Sequence, residues 1–405
     1  MAREMGARGR RCGKVVAPMV TILDVARRAG VSQSTVSYVM SGKRPISPAV
    51  AERVRESIAE LGYRPHASAR ALATSRSSVI ALVLPIRAET MYRVMMEFLM
   101  EVAARARDYD QDVLVVTEKE GPEALRRAAW GLADGLVVLD VQLEDSRLDL
   151  LRDLGLPTVL IGVPINTEGL VCVDFDFRAA GELCVEHLAD LGHESIAFLG
   201  EPEEVYREHY GYAEHTLEGV RMAASRRGLT IATSACPLAK PSRPAPAGRE
   251  EAGGQPRGPA SRTVGLATAP GLVRSTLEQL WASRPTALVV HNEAALPEVR
   301  QWACDNGLHV PGELSVVAIS PSDVAEQSWS GVSHVALPTI ELSDIAVDLL
   351  MSQLNGKEVA STTLLSPRLE AGSTTGPSTA PPASTAPPAS AGRSRWRRPA
   401  PAAWH

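Results

Sequence analysis

Near the start of the chain, apolar residues recur every three or four positions, as they do on one face of a helix. The first such stretch follows Thr21, and its apolar positions are Ile22, Val25, Ala26 and Ala29. Asp24 stands three residues after Thr21, which is a short variant of the capping box that starts helices. Gly30 breaks the pattern, and Ser32 occupies the N-cap position of a second helix over about residues 33–41. Two short helices joined by so tight a turn are typical of a helix-turn-helix, whose second helix can lie in the major groove of DNA.

A third helix is predicted to begin at Pro48, with Ser47 as its cap and Gly62 as its stop. Three helices between residues 21 and 62 can bury a small core, towards which Val36 and Val39 of the second helix point. The polar side chains on the other side of that helix are of the size that reaches base edges and phosphates: Gln33, Ser34, Ser37 and Tyr38. The same pattern also fits a small three-helix bundle that binds no DNA.

From Val79 onward, short apolar runs alternate with amphipathic stretches. The runs predicted as strands are 79–85, 112–117, 135–139, 158–162, 171–174, 195–200, 229–236, 286–291, 314–319, 334–337 and 362–369. The helices predicted between them are 91–108, 122–132, 146–154, 178–191, 211–227, 271–283, 293–306 and 339–354. This alternation predicts doubly wound parallel sheets. Because the pattern restarts near residue 178, we expect an α/β body of two lobes with a ligand-binding cleft between them.

The charge of the chain is unevenly distributed along its length. Residues 1–78 hold fourteen Lys and Arg against five Asp and Glu, a balance of +9, and residues 371–405 carry +4. The overall charge of -5 therefore leaves -18 on residues 79–370. A basic head on an acidic body suits a protein that grips a polyanion with one end only.

Several classes of function are not indicated by the sequence. It contains no phosphate-binding GxxxxGK[ST], no GxSxG and no HExxH, and its nine histidines show no metal-ligand spacing. We therefore expect no enzyme activity, no metal and no cofactor. The five cysteines form no CxxC pair, and no apolar run is long enough for a signal peptide or a membrane span. These features predict a cytoplasmic protein without a membrane partner, associated with the nucleoid if it binds DNA.

The motifs of the first eighty residues resemble those of the lac repressor family of bacterial transcription regulators. The matching segments are Thr21-Ile22-Leu23-Asp24-Val25-Ala26, Ala29-Gly30-Val31-Ser32, Thr35-Val36-Ser37, Leu61-Gly62-Tyr63-Arg64-Pro65 and Ala69-Arg70-Ala71-Leu72. Further matches in the body, such as Ala133-Asp134-Gly135-Leu136 and Leu191-Gly192-His193, extend the resemblance from residue 20 to about residue 374. Tyr38 and His66 depart from the family pattern; because both lie in the DNA-facing part, they leave the fold intact and bear on which operator sequence is bound.

The resemblance implies two sets of DNA-binding residues. The set expected in the major groove and on phosphates is Thr21, Ser32, Gln33, Ser34, Thr35, Ser37, Tyr38 and Arg44. The set expected in a hinge that enters the minor groove is His66, Ala69, Arg70 and Leu72. In the family this hinge becomes helical when it pairs with its dimer mate on DNA, and a leucine at the position of Leu72 wedges into the groove.

The resemblance also implies an effector site in the cleft, for a small molecule that is often a sugar or a nucleobase. The residues at the corresponding positions are Tyr92, Asp176, Thr216 and Asn292, of which Asn292 could equally be a helix cap. Two departures matter: Thr216 stands where many sugar-binding members have arginine, and Ser320-Pro321 replaces an aspartate pair. Because these groups normally hold sugar hydroxyls, the ligand is expected to be different and less polar, or absent.

Together these features predict the following organisation. Residues 1–18 form a disordered extension, 20–63 a helix-turn-helix domain and 64–78 a hinge. Residues 79–370 form the bilobed body, with a disordered insertion at 237–262, and 371–405 form a disordered tail. The expected function is that of a homodimeric repressor that binds a palindromic operator in double-stranded DNA and responds to a small-molecule effector. The alternative is an architectural DNA-binding regulator whose cleft has lost its ligand.

Overall fold

The computed structural model describes residues 20–41, 44–63, 76–84, 92–117, 122–237 and 271–379. The predicted extension 1–18, most of the hinge and all but the first residue of the predicted insertion lie outside these ranges. Among the described residues, none of the helices combines the length and the apolar character needed to cross a membrane.

The first unit consists of three helices, α1 (Ile22–Ala29), α2 (Gln33–Ser41) and α3 (Pro48–Leu61), with the bounds that the sequence predicts. Gly30 and Gly62 end α1 and α3 in the left-handed conformation, with φ of 66° and 62°, which glycine adopts without steric cost. The buried side chains of this unit form one small core: Val25, Ala26, Ala29, Val36, Val54 and Tyr63. α2 is thereby fixed by its apolar side, and its polar side is left to face outward.

The body contains two six-stranded sheets. The strands of the first sheet are β1 (Val79–Val83), β2 (Asp112–Val116), β3 (Gly135–Val138), β4 (Thr158–Ile161), β5 (Val171–Phe175) and β11 (Thr362–Leu365). They lie in the order β11-β5-β4-β3-β1-β2, and all are parallel. The strands of the second sheet are β6 (Ser195–Gly200), β7 (Thr230–Ala235), β8 (Ala287–Val290), β9 (Ser315–Ser320), β10 (Ser333–Ala336) and β12 (Leu369–Glu370). Their order is β12-β10-β9-β8-β6-β7, with β12 antiparallel to its neighbour.

Helices cover the faces of both sheets. Their bounds are α4 (Tyr92–Asp108), α5 (Pro122–Ala129), α6 (Leu148–Leu154), α7 (Phe177–Asp190), α8 (Glu203–Arg207), α9 (Gly211–Arg227), α10 (Leu272–Trp281), a 3-10 turn (Glu293–Ala295), α11 (Leu296–Asp305), α12 (Ser322–Ser328) and α13 (Thr339–Leu354). Strands β3, β4, β8 and β9 are buried along their whole length, as expected for parallel strands covered on both sides. The predicted doubly wound fold is therefore confirmed.

Within the residues that the structure describes, the chain passes between the lobes three times. The first crossing lies between β5 and α7, at Asp176, and the second lies between β10 and α13, near Pro338. The third joins β11 of the first sheet to β12 of the second. The two lobes are thus not simply consecutive along the chain, because α13 and β11 return to the first lobe.

The end of the body requires a correction. Residues 371–379 were expected to belong to a disordered tail, but they lie against the second lobe. The backbone oxygen of Thr374 accepts a hydrogen bond from Val316 N–H at 2.7 Å, and its hydroxyl accepts one from Ser333 N–H at 2.9 Å. His193 Nε2 lies 3.0 Å from the oxygen of Gly376. Composition predicted a tail because the segment has few large apolar residues, whereas it is held in place by hydrogen bonds.

Candidate functional site

The outward side of α2 carries the polar residues that the sequence predicts. Gln33 and Ser34 are exposed, and Ser37 and Tyr38 are half-buried against the three-helix unit. The guanidinium carbon of Arg44 lies 5.2 Å from the centre of the Tyr38 ring, within the range of a cation–π contact. Arg44 and Tyr38 therefore form a cationic and aromatic pair beside Gln33 and Ser34, the exposed polar row of α2.

Two of the predicted DNA-binding residues also cap helices. Ser32 Oγ accepts a hydrogen bond from Thr35 N–H at 3.1 Å, so it caps α2, and it lies 2.8 Å from the Thr35 hydroxyl. Asp24 Oδ2 accepts hydrogen bonds from the N–H and the hydroxyl of Thr21, at 2.9 and 2.7 Å, which confirms the predicted capping box. These bonds lower the pKa of Asp24. Ser32 and Thr21 thus stabilise the helix ends in the absence of DNA.

The hinge residues His66, Ala69, Arg70 and Leu72 lie outside the described residues. The three residues that follow the undescribed part are anchored to the body. Ser77 N–H and Ser78 N–H donate to the two carboxylate oxygens of Asp134, at 2.7 and 2.9 Å. Asp134 directly precedes β3, so the chain leaving the hinge is fastened to the centre of the first sheet.

A cavity of about 110 Å³ lies between the lobes, next to the carboxyl ends of the parallel strands. One water needs roughly 10–15 Å³ by the same measure, so the cavity has room for a small organic molecule. Apolar side chains from both lobes form most of the wall, including Phe98, Leu139 and Ile161 of the first lobe and Ile319 of the second. The lobes touch beside it, where Leu143 N–H donates to the His209 oxygen at 2.8 Å.

Five carboxylates also line the cavity: Asp140, Asp174, Glu204, Glu208 and Glu293. Burial raises the pKa of Asp174 to about 7, although a hydrogen bond from Phe175 N–H opposes that shift. Burial likewise raises the pKa of Glu293 to about 7. Both shifts arise because an enclosed carboxylate loses the water that stabilises its charge.

The loop that carries Asp140 is held by a buried ion pair. Asp145 accepts hydrogen bonds from Arg147, with Nη2 to Oδ2 at 2.6 Å, and Arg147 Nη2 also donates to the Asp140 backbone oxygen at 2.9 Å. Asp140 itself has φ of 58°, in the left-handed region. The Asp145–Arg147 pair therefore stabilises a loop conformation that places Asp140 on the cavity wall.

His291, which follows β8, is an enclosed ring of the wall, with 3% of its surface exposed. Its Nε2 lies 3.5 Å from Thr216 Oγ1, and its Nδ1 is buried with no hydrogen-bond partner. Burial lowers the pKa of His291 to about 3, so the ring is neutral at physiological pH. A neutral ring with one unpartnered nitrogen faces the cavity.

Family models match two parts of the chain. Residues 21–66 match the model described as bacterial regulatory proteins of the lacI family. Residues 185–375 match a periplasmic binding protein-like domain. The chain therefore carries a DNA-binding domain of the lacI family, followed by a periplasmic binding protein-like domain.

Relatives and solved structures agree with this assignment. Catabolite control protein A of Staphylococcus epidermidis is 24% identical over 361 residues, which is 88% of this chain and 99% of the relative. The same protein of Priestia megaterium is 25% identical over 84% of this chain and 95% of the relative. The lac repressor dimer bound to operator and an anti-inducer has the same fold, with a TM-score of 0.71 at 22% identity, over 88% of this chain and 99% of that one. A complex of the regulator CelR with cellobiose is similar, with a TM-score of 0.58 at 21% identity, over 88% and 99%. With its lacI-family domain at residues 21–66, the protein is a DNA-binding transcription regulator.

Three of the four effector residues predicted from the lacI family, Asp176, Thr216 and Asn292, do not line the cavity. Asn292 is turned away from it, and its Nδ2 donates to Glu201 Oε2 at 2.8 Å behind the wall. Thr216 is also behind the wall and donates its hydroxyl to the Tyr212 oxygen at 2.8 Å. Asp176 caps α7 by accepting from Ala179 N–H at 2.9 Å. The side chain of Tyr92 lies outside the described part of the chain. Asn292, Thr216 and Asp176 thus each make a hydrogen bond within the protein and do not line the cavity, and their role in binding an effector stays a prediction.

The residues that do line the cavity were missed for an identifiable reason. His291 and Glu293 stand on either side of Asn292 in the turn after β8. His291 and Glu293 line the cavity, whereas the side chain of Asn292 between them does not. Glu201 is fully buried, and Glu204 lies on α8 beside the cavity. Their place in the sequence could have identified them. Asp140 and His291 come just after the carboxyl ends of two parallel strands, which is where ligands of such sheets bind.

Proposed function

We propose that this protein is a repressor that binds a palindromic operator as a homodimer and is controlled by a small molecule in the cavity between its lobes. The observation that carries the DNA-binding part is the exposed polar row on α2, presented by a rigid three-helix unit. One such unit buries only about 600–1,000 Å² on DNA, which is small for tight specific binding. Two units placed symmetrically on an inverted repeat would supply the missing contacts.

An exposed apolar patch on the first lobe supports the homodimer. Met96 and Met100 lie four residues apart on α4 and are 48% and 61% exposed, so they share one side of the helix. Val115 of the edge strand β2 is also exposed. Exposed apolar clusters of this kind mark protein–protein contacts more often than isolated exposed residues do.

Control by a ligand would act through the three crossings between the lobes. A molecule that fills the cavity contacts both lobes and so favours one angle between them. The hinge is tied to the first lobe through the hydrogen bonds of Ser77 and Ser78 to Asp134. A change of angle in a dimer therefore alters the spacing of the two hinges, and with it their ability to pair on DNA.

Selection from random double-stranded oligonucleotides tests the DNA-binding part. We expect the full-length protein to enrich an inverted repeat whose half-sites are recognised equally. Enrichment of a single half-site would reject the dimer on a palindrome, and recovery of no preferred sequence would reject sequence-specific regulation altogether.

Sedimentation of a charged variant tests the dimer separately. Met100→Glu places a charge in the proposed interface and should give a monomer with an unchanged melting curve of each lobe. Met222→Glu is the matched control, because Met222 is a similarly exposed methionine on α9 of the other lobe. A dimer that persists in Met100→Glu would move the interface away from α4.

A further inference from the structure

We propose that the cavity between the lobes binds an uncharged, mainly apolar molecule of about the size of one six-membered ring. This inference rests on the proposed ligand-controlled cleft and specifies the class of its ligand. A sugar belongs to a different class, because it carries a hydroxyl group on nearly every carbon.

The first observation is the apolar character of the wall. Most of the residues that line the cavity are apolar, and they come from both lobes. They include Met95, Phe98 and Ile161 of the first lobe and Val205, Ile319 and Leu337 of the second. Binding to such a wall is favourable in proportion to the apolar area that leaves water. A molecule with a largely apolar surface therefore gains more here than a molecule covered with hydroxyl groups.

The second observation is the size of the cavity. Its volume is about 110 Å³, and an apolar cavity of about 150 Å³ accommodates benzene. On one side the lobes approach closely, since a methyl group added at Gly211 would lie 3.2 Å from Leu143 Cδ2. The volume therefore suits a molecule of about one ring.

The third observation is that hydrogen-bond donors of the wall are used within the protein. The Ser320 hydroxyl donates to the Pro321 oxygen at 3.1 Å, and the Tyr210 hydroxyl donates to Glu208 Oε2 at 3.4 Å. Among the described residues that line the cavity there is no Lys, Arg, Asn or Gln. Each hydroxyl oxygen of a polyol must accept as well as donate hydrogen bonds. A polyol would therefore find few donors on this wall.

One side of the wall is aromatic and uncharged. The centre of the Tyr212 ring lies 5.9 Å from that of Phe177 and 6.1 Å from that of His291. The Thr216 hydroxyl gives its proton to the Tyr212 oxygen, so Thr216 Oγ1 accepts from Nε2–H of the neutral His291 ring. Rings at such distances pack edge to face or offset. They offer the same packing to the ring of a ligand.

Two carboxylates of the wall are stabilised by the protein itself. Asp174 accepts hydrogen bonds from Phe175 N–H, at 2.8 Å, and from the backbone of Val163. Burial raises the pKa of Glu293 to about 7, although the positive charge of Arg93 opposes that shift. Asp174 and Glu293 therefore do not require a cationic ligand to compensate them.

The other three carboxylates of the wall keep contact with water. Asp140 and Glu204 are half-buried, and Glu208 is exposed. Water stabilises the charge of a carboxylate that it can reach. A neutral molecule can thus fill the apolar part of the cavity while these three groups remain hydrated.

Calorimetric titration of the full-length protein with matched probes tests the proposal. Cyclohexanol is compared with myo-inositol, which has the same carbon ring and a hydroxyl group on every carbon. In the same way, 2-phenylethanol is compared with phenethylamine and with phenylacetate, which carry a positive and a negative charge. We expect each neutral apolar probe to bind at least tenfold more tightly than its polar counterparts, with a negative change in heat capacity. The ligand class is wrong if a polar counterpart binds as tightly as its neutral partner, or if neither neutral probe binds.

Two substitutions of methionine locate the binding. Met95→Gln places an amide in the wall at nearly unchanged length, and should weaken the binding of 2-phenylethanol at least fivefold. Met222→Gln is the matched control, because Met222 is an exposed methionine that does not line the cavity. Equal effects of the two substitutions would place the molecule outside the cavity and overturn the proposal. Leu337→Asn provides a second wall variant if Met95→Gln lowers the melting temperature.

The outcome for the ligand can be separated from the outcome for the function. If a neutral sugar such as cellobiose binds and releases a selected operator while the apolar probes do not bind, the ligand class fails and the ligand-controlled regulator stands. If 2-phenylethanol binds in the cavity but leaves operator affinity unchanged, the ligand class is correct and the control of DNA binding fails. If no operator is selected, the regulatory proposal fails irrespective of the titrations.

Discussion

Asn292 Nδ2 donates a hydrogen bond of 2.8 Å to Glu201 Oε2, with both side chains enclosed behind the cavity wall. Glu201 Oε1 and Asn292 Oδ1 are buried without a hydrogen-bond partner. Burial, together with the nearby charge of Glu293, raises the pKa of Glu201 to about 8, against the opposing effect of the Asn292 bond. Glu201 is therefore largely protonated at neutral pH. The pair joins the turn after β8 to the end of β6, and so supports the position of His291.

The first prediction concerns the pH dependence of stability. The folded protein keeps the Glu201 proton up to about pH 8, whereas the unfolded chain releases it near pH 4.3. Between these values the folded state binds more protons, so stability must fall as pH rises. Glu201→Gln removes this contribution. In chemical unfolding between pH 6.5 and 8.5, we expect the variant to lose less stability than the wild type, by up to about 1.4 kcal/mol per pH unit.

The chosen window separates Glu201 from its neighbours. His291 has a lowered pKa and acts with the opposite sign, but only below about pH 6.5. The pKa of Glu293 is raised to about 7, but Glu293 is present in both the wild type and the Glu201→Gln variant. Its contribution to the pH dependence is therefore common to both proteins. Glu203→Gln serves as the control, because Glu203 is an exposed glutamate of α8. This substitution should leave the slope of stability against pH unchanged. Parallel pH profiles for wild type and Glu201→Gln would show that Glu201 is ionised in the folded state.

The second prediction concerns the reading of bases by α2. Gln33 is exposed and makes a candidate base contact, so Gln33→Ala should cost about 1–3 kcal/mol at one operator position and relax the preference there. Arg44→Ala should weaken binding to all DNA sequences alike. It should also reduce the slope of log affinity against log salt concentration by the amount expected for about one phosphate contact. Competition binding with single-base operator variants at two salt concentrations measures both effects. A uniform loss for Gln33→Ala would place α2 differently on the DNA.

The third prediction concerns Leu72 in the hinge. Insertion of this side chain into the minor groove would cost a few kcal/mol of unstacking, which the bent complex recovers through extra contacts. Leu72→Ala should therefore reduce specific affinity far more than non-specific affinity, and should reduce the bend measured by gel mobility. Leu132→Ala, at an exposed leucine of the body, is the control and should change neither. A lower melting temperature of free Leu72→Ala with normal bending would make Leu72 a core residue.

The fourth prediction concerns residues 371–379. A protein that ends at Glu370 loses the acceptors for Val316 N–H and Ser333 N–H. It also loses one partner of His193 Nε2, which keeps Ser315 Oγ at 3.0 Å. Each buried N–H left unpaired costs about 1–3 kcal/mol, so the second lobe should lose about 2 kcal/mol or more. A protein that ends at Thr379 keeps every one of these bonds and should melt like the full chain. Equal melting of the two truncations would show that the segment contributes nothing to stability.

The three-helix unit could be derived from the sequence because its signals are local. Thr21, Gly30, Ser47 and Gly62 set the ends of its helices, and each acts on backbone groups within a few residues. The strands of the body were also predictable, since buried parallel strands are continuous apolar runs. The bounds of β6, α9 and α13 agree with the prediction at every residue.

The sequence by itself therefore determined the order of the elements, the doubly wound sheets and the polar side of α2. Only the tertiary structure decided which side chains face the cavity. Asn292 and His291 are neighbours in one turn, and their opposite directions depend on how that turn packs against Glu201 and Thr216. Glu204 and Asp140 reach the same wall from different lobes, a meeting that no local pattern encodes. Burial and long-range contacts, rather than residue type, separate a ligand-facing side chain from a structural one.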